Sequence, residues 1–316
     1  MAQLLKLADY VSRYEIDIYR YPSRYVRLKK ERWQRVQREW AVQKNISIDR
    51  PFWESNEEEE KTFFQKSWNK LRRKAKMELD DEIELPSEQE MPHETKDQMK
   101  ASFLEELFKF QINWVSSTVS ERSAVKRSYY YDSLLEFLVK KLPDSFFILY
   151  EPVFFLKKAT VDLDVIILTP SEIWLIKPLL GNENTIFQFD SDRFWSKKDG
   201  KRESKFLHPI ISLNRMRTVI ESILKEKNLS MPMKQVIVAK NSYIDIPQHN
   251  QRAKLIDKRN FHEFHEQLLR NKSPIKHTQL KIADALLAKC MTNSSSRLIS
   301  ESENAETIDT FDEYKE

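Results

Sequence analysis

Asp162 and Asp164 stand two residues apart in an apolar run, and Lys177 closes the next apolar run. Residues i and i+2 of a strand point to one face, so two such carboxylates can converge on a single cation. A lysine brought beside them orients or activates a water for attack on a phosphodiester. Asp132, upstream at the head of a helical pattern, offers a third carboxylate. Asp164 and Asp162 are thus the metal-ligand candidates, with Mg²⁺ as the cation if the site is active. Asp132, Asp162, Asp164 and Lys177 together form the candidate catalytic set.

These residues need two strands to hold them. Residues 160–168 and 173–179 read as strands joined by a tight turn at Thr169 to Glu172. The periodicity predicts a helix over 131–142, stopped by Pro143, and a strand over 146–155. A short strand at 185–189, a polar loop at 197–201, a helix over 209–227 and a strand at 234–239 follow. Helices at 261–269 and 274–291 complete the set. This order implies an α/β fold with a mixed central sheet flanked by helices, spanning residues 128–292.

Ahead of it, residues 1–120 read as an all-helical region. Residues 24–43 alternate Tyr25, Leu28, Trp33, Val36 and Trp40 with Arg27, Lys29, Lys30, Arg32, Arg35 and Arg38, and Ser23 is the expected N-cap. A second helix opens at Glu54 and carries Phe63, Phe64, Trp68 and Leu71. The acidic stretch 80–98, broken by Pro86 and Pro92, reads as a linker. A third helix over 99–119 is apolar on more than one side. Residues 293–316 are expected to be a disordered acidic tail.

From Tyr131 to about Ile246 the chain resembles the nuclease-related domain (NERD) family, placed among PD-(D/E)XK nuclease-like folds. Asp132, Leu135, Val139 and Leu142 match the family's opening helix, with aspartate for glutamate. Asp164 before Val165-Ile166-Ile167-Leu168 matches its metal-binding strand. The family's Glu-x-Lys falls on Lys177 and Leu179, and its Asn-Pro-x-x-Gln on His208-Pro209-Ile210-Ile211-Ser212. The resemblance implies a restriction-endonuclease-like fold. It also implies that two catalytic positions are lost, because a protonated lysine opposes a metal and leucine offers no polar chemistry.

Composition narrows the alternatives. Only two glycines, Gly181 and Gly200, occur in 316 residues, too few for a P-loop or dinucleotide fingerprint. One cysteine forms no internal disulfide, in keeping with a cytoplasmic setting. No apolar run is long enough for a membrane span. His262 and His265 lack the spacing of a helical zinc pair. Arg193, Trp195, Lys197 and Lys198, with Arg215 and Arg217 on the long helix, are candidates for contact with nucleic acid. Ser212 shows no His or Asp partner within the motif.

The leading expectation is a catalytically degenerate nuclease-like module that binds nucleic acid, or a protein partner through the N-terminal helices. The alternatives are a metal-dependent nuclease with a migrated site, and a protein–protein adaptor without nucleic acid binding. In the structural alternative to catalysis, Lys177 pairs with Asp164 in a partly buried salt bridge.

Overall fold

The computed structural model describes residues 1–43, 95–118, 120–156, 159–246, 253–270 and 273–293. Its strands are β1 (Gln3–Leu7), β2 (Phe147–Tyr150), β3 (Val153–Leu156), β4 (Ala159–Asp162), β5 (Val165–Leu168), β6 (Ile173–Pro178), β7 (Thr185–Phe189), β8 (Phe194–Asp199), β9 (Arg202–Leu207), β10 (Met233–Ala239), β11 (Tyr243–Asp245) and β12 (Lys254–Asp257). Its α-helices are α1 (Tyr21–Gln43), α2 (Lys96–Trp114), α3 (Ser133–Lys141), α4 (Pro209–Glu226), α5 (Phe261–Leu269) and α6 (His277–Leu287). The chain divides into two units. One contains residues 1–26 and 108–316, the other residues 27–107.

The larger unit is an α/β body. Its main sheet runs β1-β2-β5-β6-β10-β12. β2, β5 and β6 are antiparallel neighbours, whereas β1, β10 and β12 join in parallel. The central strands Ile148, Val165 to Leu168 and Ile173 to Ile176 are fully shielded from solvent, as continuous apolar runs covered on both faces require. A second sheet runs β11-β7-β8-β9, and β3 and β4 form a separate ribbon.

The N-terminal region is not all-helical. Residues 3–7 form an edge strand parallel to β2, and every one of them is buried. Gln111, from α2, replaces the missing neighbour strand. Its Oε1 accepts the Leu4 N–H at 2.7 Å, and its Nε2 donates to the Ala2 carbonyl at 2.8 Å and to the Tyr25 hydroxyl at 2.8 Å. Lys6 is wholly buried, yet its ammonium donates to Tyr10 O at 2.6 Å, Glu15 Oε1 at 2.5 Å and Thr292 Oγ1 at 3.0 Å. Three donors with three acceptors is the condition under which a buried lysine is tolerated.

Several local expectations change. The run 146–155 breaks into β2 and β3 at Glu151, whose φ of 51 places it in the left-handed region. The run 160–168 breaks into β4 and β5. The expected polar loop at 197–201 is instead the β8–β9 hairpin, with Gly200 at φ 60 in its turn. The first long helix begins at Tyr21, and Asp17, not Ser23, caps its approach by accepting from Tyr19 N and Arg20 N. The turn at Thr169 is as expected: Thr169 N donates to Glu172 O at 2.9 Å, and Thr169 Oγ1 accepts from Glu172 N at 3.0 Å.

In the smaller unit, Arg32 pairs with Glu106 at 2.9 Å and Trp33 stacks obliquely on Phe103. The helix expected from Glu54, the linker up to residue 94 and the tail after residue 293 lie outside the described residues. No helix among the described residues is long and apolar enough to cross a membrane.

Candidate active site

The two strands do bring a carboxylate and a lysine together. Val165 pairs with Ile176 and Ile166 with Leu175, so Asp164 meets Lys177 one step beyond the ladder. Lys177 Nζ lies 2.6 Å from Asp164 Oδ1. The pair is part-shielded, with side-chain exposures of 29% for Lys177 and 18% for Asp164. The backbone of Asp164 is fixed by Glu151, whose N–H donates to the Asp164 carbonyl at 3.0 Å.

A third group completes the cluster. Ser212, in the first turn of α4, donates its hydroxyl to Asp164 Oδ2 at 2.5 Å. α4 packs on β6 and β10, which sets that turn over the C-terminal end of β6. Sequence reading assigned Ser212 no partner because its partner lies 48 residues earlier in the chain.

One turn before Ser212, His208 caps α4. Its Nδ1 accepts from Ile210 N at 3.1 Å, which leaves the proton of the neutral ring on Nε2. The ring packs 5.0 Å from that of Trp195. Burial pushes its pKa below the usual histidine value, and Asp192 opposes the shift only in part.

The other expected site residues lie elsewhere. Asp132 is the N-cap of α3. Its Oδ1 accepts from Leu134 N and Leu135 N, and its Oδ2 accepts the Tyr150 hydroxyl at 2.6 Å. Tyr150 pairs with Val165 and shares its face, whereas Asp164, the residue before Val165, turns to the other face. Asp132 and Asp164 are therefore separated by the sheet. Asp162 is exposed on the β3–β4 ribbon, a different sheet from Lys177. Leu179 is buried and donates its N–H to Val238 O.

Asp164 already has one oxygen against an ammonium and the other against a hydroxyl. Among the described residues no group of three or more His, Cys, Asp or Glu side chains is placed to hold a metal. The metal-ligand pair Asp162 and Asp164 and the migrated set with Asp132 are not assembled.

The expected nucleic-acid residues divide similarly. Trp195 is wholly buried, against Phe206 and His208, and offers no face for a base to stack on. Lys197 donates to Leu180 O at 2.8 Å, and Lys198 is half-buried on β8. Arg193 is exposed beside Phe194. Arg215 and Arg217 are exposed on α4, and Arg217 pairs with Glu221 at 2.7 Å.

Comparison with known proteins changes the family reading. No family model matches the chain, and no solved structure matches it. A curated relative, the RNA 2',3'-cyclic phosphodiesterase of Geobacillus stearothermophilus, is 34% identical over 128 residues, 35% of this chain and 36% of the relative. The chain thus spans about a third of that relative's length. This likeness overturns the assignment to the nuclease-related domain family. It also removes the ground for a degenerate nuclease-like binding module and for its two alternatives, the migrated-site nuclease and the adaptor.

Proposed function

We propose that this chain is an RNA-processing phosphodiesterase acting on 2',3'-cyclic phosphate ends, with Asp164, Lys177 and Ser212 as its reaction centre. The observation that carries the reading is the 34% identity to the Geobacillus RNA 2',3'-cyclic phosphodiesterase. The cluster supports it by supplying a proton acceptor, a cation and an orienting hydroxyl, part-shielded from solvent.

Opening a cyclic phosphate requires water to add to phosphorus while one ribose oxygen leaves with a proton. In the proposed reaction Asp164 takes the proton from the attacking water. Lys177 neutralises the phosphate charge and gives its proton to the leaving oxygen. The 2.6 Å contact between the two then returns the proton from Asp164 to Lys177 and restores the ion pair. Ser212 acts as a positioning residue, holding the carboxylate from its other oxygen.

RNA is the partner this reading implies. A restriction-endonuclease-like arrangement remains our proposal for the α/β body as a fold only, supported by the mixed sheet with α3 packed on β2 and α4 on β6 and β10. The test is incubation of the full chain with an oligoribonucleotide ending in a 2',3'-cyclic phosphate. Conversion to a monophosphate end that is lost in Lys177→Met is expected. An unaltered end would sink the proposal.

A further inference from the structure

The part of α1 within the smaller unit presents one exposed face. From residue 27 to residue 40 the exposed side chains are Arg27, Lys30, Glu31, Arg35 and Arg38. All five are charged, four positive and one negative. At 3.6 residues per turn they fall within an arc of roughly 140° and extend over about 16 Å of helix. The opposite face carries the packing, through Trp33 on Phe103 and Arg32 on Glu106.

Glu31, the one exposed carboxylate of the stripe, is only loosely paired with Arg27. Arg27 Nε is 3.6 Å from Glu31 Oε1, with exposures of 73% and 61%, a pair that solvent screens heavily. Arg38 turns its Nε onto Gln34 O and leaves its other donors outward. A row of guanidinium groups at this pitch matches a polyanion with regularly spaced charges. A lipid surface would instead need apolar side chains beside the cations, to enter the bilayer. Val42, 74% exposed on the same arc, is the one apolar side chain that the helix exposes between residues 27 and 42, too little to enter a bilayer.

We propose that the face of α1 formed by Arg27, Arg35 and Arg38 binds the phosphate backbone of an RNA strand. This rests on the reading of the chain as an RNA-processing protein and adds, in the smaller unit, an anchoring surface made of other residues than the reaction centre. It holds the body of the strand through phosphates and is indifferent to base sequence.

The experiment compares the full chain with Arg27→Glu/Arg35→Glu/Arg38→Glu, titrating a fluorescent 20-nucleotide RNA of mixed sequence over a range of salt. Circular dichroism checks that both proteins are folded, and Arg27→Gln/Arg35→Gln/Arg38→Gln serves as a milder second variant. The expected result is at least a tenfold loss of affinity. The slope of log affinity against log salt should also shrink by about 2, since each lost contact to a single strand removes about 0.7. Turnover of a dinucleotide ending in a cyclic phosphate, too short to span the three arginines, should be unchanged. Affinity and slope equal to wild type in both variants would overturn the inference, as would preferential binding to anionic phosphatidylserine vesicles over RNA. RNA binding lost in the variants while neither protein opens a cyclic phosphate would leave the inference standing and remove the reaction reading.

Discussion

Ser212 and Asp164 meet at 2.5 Å across 48 residues of chain, and this contact joins α4 to the strand pair that presents Lys177. A hydrogen bond to a charged acceptor contributes about 1.5–3 kcal/mol. Ser212→Ala should lower stability by about that amount in urea denaturation, less to the extent that water replaces the hydroxyl. It should also slow opening of a cyclic phosphate by tenfold or more through kcat, with KM little changed. Ser212→Thr, which keeps the hydroxyl, should recover most of both.

The Asp164–Lys177 pair is part-exposed, so its coupling should be small. A double-mutant cycle with Asp164→Asn and Lys177→Met is expected to give about 1 kcal/mol of interaction energy. A coupling of several kcal/mol would mark the pair as a structural cross-brace.

Gln111 holds the N-terminal strand through three buried hydrogen bonds. Gln111→Ala should cost about 2–4 kcal/mol, because Leu4 N and Ala2 O lose their partner in a site closed to water. Native-state hydrogen exchange should show faster exchange at Leu4 than in β5 and β6.

His208 has a folded-state pKa lowered by burial, so the unfolded chain binds its proton more readily. Its contribution to stability is complete above the unfolded value, near pH 6.5. It is lost as pH falls through the lowered folded value. Thermal melting should therefore drop between pH 7.5 and 5 in the wild type. The drop should be smaller in His208→Asn, which can still cap α4.

Much of the α/β body is legible in the sequence, and the physical reasons are local. The turn at Thr169 fixes the β5–β6 register, and that register alone aligns Asp164 with Lys177. α5 and α4 follow from their periodicity and from Pro209 at the first helical position. What escaped reading depends on long-range partners. Gln3 to Leu7 is a short run without turn signals, and only its pairing with β2 and Gln111 makes it a strand. In the β8–β9 hairpin, lysines at 197, 198, 201 and 205 mask the period of two, so buried Trp195 looked like a surface aromatic. Ser212 needed the packing of α4 on β6 to find Asp164. Asp132 looked catalytic by position, yet its carboxylate is spent on a helix cap on the far face of the sheet.

Phosphorus NMR of a single turnover tests the central claim most directly. An RNA ending in a 2',3'-cyclic phosphate has a resonance well separated from that of a monoester. Excess full chain is predicted to convert the cyclic signal to the monoester signal, and Asp164→Asn, folded by circular dichroism, is predicted to leave the cyclic signal in place. A cyclic signal that persists with the wild-type chain, or conversion by Asp164→Asn at the wild-type rate, would contradict the account.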